Sequence, residues 1–302
     1  MVLDCAIIGG GPAGLNAALV LGRAKRSVML FDDNKPRNAV TQHSHGFITR
    51  DGVRPAEFRA IGQREITQYP SVEISPTRVE TVRKQGPTFE LVARSGETFE
   101  ARTLILATGI QETLPAVEGI YDYYGKSLFN CPFCDGWELR EKPLVVIVEN
   151  EMGASHIPKL LYNWSQDIVV CTNGHRVLNE EQKLFFAKYG IRVIEERIVT
   201  LAGHDGQLER LVFENHPDIE RSGGLVAIQW KQATSIGQDL GCETNAMGGI
   251  AVDDFGHTNI KGVYAAGDTT SVMQAQLILA AAGGSKAASG VVSDLTMNYF
   301  EQ

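Results

Sequence analysis

The chain is poor in several features that would place it among common classes. It has five cysteines in 302 residues, too few and too unevenly spaced for the disulfide framework of a small secreted domain. It has no long uninterrupted apolar run, so nothing in it is expected to span a bilayer. Its 28 Lys and Arg gather into no basic stripe and the formal charge is −8, which argues against a nucleic acid or an anionic membrane as the main partner. No repeat or low-complexity segment interrupts it. The N-terminus enters an apolar strand at once, with Asp4 inside it and no basic segment ahead, a pattern unlike a secretory signal. What is left is an ordinary globular chain, 43% hydrophobic and 21% charged, long enough for two domains. The expected compartment is a reducing cytoplasm in which one cysteine pair does the chemistry.

That pair lies in Cys131-Pro132-Phe133-Cys134-Asp135-Gly136-Trp137-Glu138. Cysteines at i and i+3 at the start of a helix share a face and can close a disulfide, and the helix dipole favours a thiolate at the first. Pro132 suits a first turn, where its missing N–H costs nothing. Asp135 stands beside the second thiol as a proton carrier. A zinc half-site and an inert buried pair compete with this reading. Structural zinc needs four ligands, and no second Cys-x-x-Cys or paired histidine motif occurs, although His43 and His45 could complete a site. Cys5 and Cys171 sit in apolar strand-like runs and read as small core residues, and Cys242 has no reading beyond loop or core.

The cofactor motif comes first in the chain. Leu3 to Ile8 reads as a buried strand running into Gly9-Gly10-Gly11-Pro12-Ala13-Gly14, with a helical pattern from Leu15 to Lys25. In that context Gly9 makes a tight turn, Gly11 admits a pyrophosphate to the backbone, and Gly14 lets helix and strand pack closely. A second strand, Ser27 to Phe31, ends at Asp32, where a ribose hydroxyl would be met. Thr103 to Gly109 and Gly262 to Asp268 are further strands with small-residue ends, through Ala107-Thr108-Gly109 and Gly267-Asp268. Asp268 is placed for a cofactor's sugar or ribityl hydroxyl. Met273-Gln274-Ala275 is expected to open a long helix rich in small residues; a buried Ala-rich helix after a chance Gly-Asp is the competing reading.

Gly9 to Gly14, Ala107-Thr108-Gly109, Cys131 to Gly136 and Gly267-Asp268 with Gln274-Ala275 resemble, in order and spacing, the low-molecular-weight thioredoxin reductases over nearly the whole chain. The resemblance implies an α/β fold of two Rossmann-type, three-layer ββα nucleotide-binding domains, the second inserted into the first. The FAD-binding domain would comprise residues 1–113 and 241–302, and residues 114–240 would form an NADPH-type domain carrying the cysteine pair. It implies FAD as cofactor, with Gln274 and Ala275 on the flavin ring and Asn38, His45 and Val79 adding contacts. For His45 a satisfied loop histidine is an equal alternative. Cys134 would be the flavin-facing sulfur, Cys131 the one that exchanges with substrate, and Asp135 the general acid. A homodimer is also implied. Pro36-Arg37-Asn38, His45 to Gly52 and Gly136-Trp137-Glu138 look closer to a branch that includes dithiol oxidases. In those a His usually follows the second Cys; here it is Asp135.

In thioredoxin reductases the strand equivalent to Leu144–Val148 is followed by a second glycine-rich motif that holds NADPH. Here Glu149-Asn150-Glu151-Met152-Gly153-Ala154 follows, with none of the three glycines in place. Side chains at 149 and 151 crowd the approach, and two carboxylates face a pyrophosphate with like charge. Each repulsion costs on the order of 1 kcal/mol or more at close range, and together with the lost close approach they weaken binding roughly a hundredfold. Where the NADPH-dependent family carries a basic cluster, only Arg176 is charged in Thr172 to Arg176. Binding of NADPH in an unusual way is the alternative.

The function expected is that of an FAD enzyme cycling Cys131 and Cys134 against a dithiol or disulfide substrate, a small molecule or a thioredoxin-like protein. Dioxygen or a donor other than NADPH would complete the cycle. An NADPH-dependent thioredoxin reductase, a peroxide-releasing dithiol oxidase and a non-catalytic flavin sensor are the alternatives. Elsewhere the pattern predicts a helix over Arg54 to Tyr69 and strands over Arg78 to Lys84, Thr88 to Ala93 and Glu97 to Arg102. It predicts a helix capped by Asn179 and ended by Gly190, and single strands over Gln207 to Phe213 and Leu225 to Trp230.

Overall fold

The computed structural model describes residues 1–271 and 275–300. By internal packing the chain divides into two compact units. The first comprises Met1–Ala39, Gly46–Gln111 and Trp230–Gln302, the second Val40–His45 and Glu112–Gln229.

In the first unit the apolar run Val2–Ile8 lies parallel between Val28–Phe31 and Thr98–Leu106, with Val72–Ser75 outside Val28–Phe31. Such a strand is covered on both faces, which is why it reads as continuous rather than alternating hydrophobicity. Glu97 to Arg102 and Thr103 to Leu106, two elements in the sequence pattern, are one strand, Thr98–Leu106. Along one edge it pairs antiparallel with Thr88–Ala93 and then parallel with Val263–Ala265. Helix Pro12–Arg23 starts with Pro12 in its first turn and buries Ala13, Ala17, Ala18 and Leu21, residues at helical spacing. It packs on Leu277–Phe300, where Gly284 lies against the Ala13 backbone. The helix expected from Met273 begins instead at Leu277, and Met273 and Gln274 lie outside the described residues. One core, around Leu21, Ile105 and Tyr264, lies between sheet and helices; another, around Phe89, Leu91 and Leu104, lies on the other face.

The second unit repeats the plan. A parallel sheet runs in the order Arg192–Ile194, Ile168–Cys171, Leu144–Ile147, Gly223–Val226, Leu128–Phe129. Helices Glu151–Leu161 and Glu180–Lys188 contribute Ala154, Leu161 and Phe186 to the core on one face. The antiparallel strands Ile198–His204, Gln207–Phe213 and Ile219–Glu220 contribute Leu201, Leu211 and Ile219 to the core on the other. Asn179 caps Glu180–Lys188 in a reciprocal box: its Oδ1 accepts from Gln182 N at 2.9 Å and its N–H donates to Gln182 Oε1 at 2.8 Å. The expected strand Leu225 to Trp230 is broken in two. Gly223–Val226 completes the central sheet, whereas Gln229–Gln232 belongs to a separate two-stranded sheet, and one straight strand cannot serve both.

Candidate active site

The glycine-rich turn sits where the first strand of the first unit ends. Gly9 has φ +113°, which a residue with a side chain rarely adopts, and the Ala107 carbonyl lies against it. A Cβ at Gly14 would collide with the Gly9 carbonyl, so turn and helix close up only with glycine there. At Gly11 a Cβ would meet nothing within 4 Å. That open space stands before the N-terminus of Pro12–Arg23, where no side chain caps the first N–H groups. Bare donors facing open space form a cradle that fits the pyrophosphate of a dinucleotide.

Around it the strand ends gather the other expected residues: Asp32 after Val28–Phe31, Ala107-Thr108-Gly109 after Thr98–Leu106, and Gly267-Asp268 after Val263–Ala265. Thr108 Oγ1 lies 3.3 Å from Thr269 Oγ1. Asn38 falls in the turn Arg37–Val40, Val79 is buried at the start of Val79–Gln85, and Ala275 precedes the last helix by two residues. Two arginines belong to this group that sequence reasoning did not assign. Arg37 pairs with Asp268 at 3.1 Å. Arg59 pairs with Asp32, and donates to Asn34 Oδ1 at 2.7 Å and to the Gly10 carbonyl at 3.4 Å. Arg59 shares the buried face of helix Pro55–Ile66 with Pro55 and Ile66; a cation on an apolar stripe was the available signal.

In the second unit Cys131 and Cys134 are joined, their sulfurs at disulfide distance and their Cα atoms 5.3 Å apart. Cys131 is the N-cap of helix Pro132–Leu139 and its carbonyl accepts from Cys134 N and Asp135 N, at 3.3 and 3.2 Å. Gly136 is required locally: a Cβ there would fall 2.7 Å from the Trp164 indole, which lies against the helix. Burial pushes the Asp135 carboxyl up to about 7; nearby Glu138 adds to the rise and His45 opposes it. A carboxyl in that range holds and releases a proton with equal ease at neutral pH. His45 lies within this group, its Nε2 3.7 Å from Glu138 Oε1. The other thiols are placed for packing: burial pushes Cys5 and Cys171 up to about 12, and Cys242 upward also. Among the described residues no three His, Cys, Asp or Glu side chains are grouped to hold a metal, and no helix is long and apolar enough to cross a membrane.

The second unit's own strand-to-helix turn is filled by its side chains. Asn150 caps helix Glu151–Leu161, its Oδ1 accepting from Gly153 N at 2.8 Å. Glu149 Oε1 accepts from Asn173 Nδ2 at 2.7 Å, and Glu151 Oε1 from Gln182 Nε2 at 3.2 Å. The Gly153 N–H at this helix start is thus taken by the Asn150 side chain, and the two carboxylates accept from Asn173 in a neighbouring turn and Gln182 in helix Glu180–Lys188. Side chains stand at this turn, whereas the turn of the first unit is open at Gly11.

Residues 3–284 match the family described as pyridine nucleotide-disulphide oxidoreductase. A thioredoxin reductase of Aspergillus oryzae, aclD, is 31% identical over 308 residues, 98% of each chain. The crystal structure of a putative thioredoxin reductase, TrxB, from Bacillus anthracis is 46% identical with a TM-score of 0.95, over 98% of this chain and 99% of that one. An oxidoreductase from Agrobacterium tumefaciens is 31% identical with a TM-score of 0.91, over 98% and 99%. Sequence and architecture agree along the whole length, and the chain belongs to the pyridine nucleotide-disulphide oxidoreductases as a thioredoxin reductase-like flavoprotein acting on sulfur groups.

Proposed function

We propose that the protein is an FAD-dependent dithiol–disulfide oxidoreductase that cycles Cys131 and Cys134 and does not take electrons directly from NADPH. The observation that carries the reading is the Cys131–Cys134 bridge at a helix N-terminus with half-buried Asp135 next in sequence. The first unit would hold the dinucleotide at the Gly11 turn, with Asp32 toward a ribose and Asp268 toward the ribityl chain. A bound flavin would supply a reversible two-electron acceptor for the dithiol. Cys131, at the helix N-terminus, forms the mixed disulfide with the substrate sulfur. In disulfide reduction Cys134 then attacks Cys131, the pair closes, and the electron pair leaves on the substrate sulfur, which takes a proton and departs as a thiol. In dithiol oxidation the substrate's second thiol breaks the mixed disulfide, and the opened Cys131–Cys134 pair closes again by passing its electron pair and one proton to a flavin-class acceptor and the other proton to Asp135. The substrate class is a small dithiol or disulfide, or a thioredoxin-like protein, as the relatives' names suggest, and a homodimer belongs to the same reading.

The filled turn at Glu149, Asn150 and Glu151 supports an electron partner other than NADPH: another donor, or dioxygen giving peroxide. Cys134→Ser tests the central claim. The variant is expected to keep its flavin, read from visible absorbance, and to lose dithiol–disulfide turnover; normal turnover without Cys134 removes the assignment.

A further inference from the structure

Six residues of the second unit, Val40–His45, come from far up the chain, and they put an imidazole beside the redox helix. Asp135, Glu138, His43 and His45 open on one cavity of about 140 Å³, together with Lys126 and Lys142. That volume holds several waters. Exposure increases across it: the His45 side chain is 23% exposed and that of Glu138, 3.7 Å away, 43%. On the dithiol reading Asp135, next in sequence to Cys134, exchanges a proton once per turnover, yet burial is the main influence on it. A carboxyl so placed needs a route to bulk water.

We propose that His45 and Glu138 form that route, carrying the proton between Asp135 and solvent through the cavity each time the Cys131–Cys134 pair opens or closes. The inference rests on the dithiol reading above. In the oxidative direction two thiols become one disulfide, the electron pair and one proton go to a flavin-class acceptor, and the other proton goes to the Asp135 carboxylate. Asp135 returns it through cavity water to the His45 ring, which hands a proton on to Glu138 and so to bulk water, and all three groups end as they began. The charged groups facing Asp135 agree with this path. Glu138, on its own helix, favours the protonated acid, and His45, from the 40–45 segment, favours the carboxylate, so each change in charge on the route helps the next transfer. His45 is on this account a positioning and relay residue, and Asp135, next in sequence to Cys134, is the group that exchanges the proton with the pair.

The test compares His45→Ala, His45→Gln and Glu138→Gln in the flavin-loaded protein, each checked for an unchanged melting curve, by the rate of anaerobic flavin reduction with dithiothreitol against pH. Should His45→Ala fold poorly, His45→Gln carries the comparison. About tenfold slowing is expected at position 45, with His45→Ala restored in proportion to added imidazole. A second readout needs no flavin: the infrared carboxyl band of Asp135 in the apoprotein, assigned with Asp135→Asn, should titrate at higher pH in His45→Gln and at lower pH in Glu138→Gln. Wild-type rates in the His45 variants, a loss that imidazole leaves unrepaired, or midpoints that stay put overturn the relay. If Cys134→Ser keeps its activity, the dithiol reading itself is lost; if it is inactive while the His45 variants run normally, only the relay falls.

Discussion

Asp135 is a residue whose chemistry depends on its surroundings rather than on its identity. In water its carboxyl titrates near 3.8, and in the fold burial moves it to about 7. Oxidation of the dithiol needs the carboxylate as proton acceptor, so its rate is expected to rise with pH through about 7. Disulfide reduction needs the acid and should fall through the same range. Asp135→Asn should flatten both profiles and lower the rate on the order of a hundredfold, measured by single-turnover kinetics against pH. The sequence announced this aspartate through its place after Cys134. It did not announce the value, because the groups that set it include His45, ninety positions away in the chain and adjacent only after folding.

At the scale of elements, the glycine-rich turn separates positions that serve packing from one that faces open space. Gly14 is pressed against the Gly9 carbonyl and Gly11 against nothing. Gly14→Ala is therefore expected to cost about 1–3 kcal/mol, the usual penalty for overpacking, read as a shift in denaturant midpoint. Gly11→Val should leave apoprotein stability within about 0.5 kcal/mol while abolishing the yellow flavin absorbance. Equal destabilisation by the two, or retained flavin in Gly11→Val, would contradict this division. The corresponding turn of the second unit carries the opposite design. The Asn150 side chain takes up the Gly153 N–H and Glu149 is tied to Asn173. There the missing glycines were legible, but not that the replacements hydrogen-bond with side chains distant in the sequence. Those partners, Asn173 and Gln182, belong to other elements of the same unit.

For the whole molecule, two nucleotide-type folds are present and one retains the open turn such a fold uses for its ligand. NADPH added anaerobically to the holoprotein is expected to leave the visible flavin absorbance in place, while a dithiol bleaches it. Rapid, complete bleaching at low NADPH would reverse the reading of the second unit. The acidic balance of the chain, −8 overall, acts in the same direction, since a polyanionic nucleotide gains no long-range attraction from it.

The amino-acid sequence alone determined the local elements whose signal is short-ranged. Buried strands such as Leu144–Ile147 and Ile168–Cys171 are unbroken apolar runs, the cap at Asn179 needs only Gln182 three residues on, and the cysteine pair needs one helical turn. Tertiary structure decided what depends on neighbours distant in the chain. It merged two predicted strands into Thr98–Leu106 because one strand bridges a parallel and an antiparallel partner, and split Leu225 to Trp230 between two sheets. It placed Arg59 on Asp32, Arg37 on Asp268 and His45 beside Glu138. Backbone patterning is a property of consecutive residues, whereas an ion pair or a shifted proton affinity is a property of contacts that exist only once the chain has closed on itself.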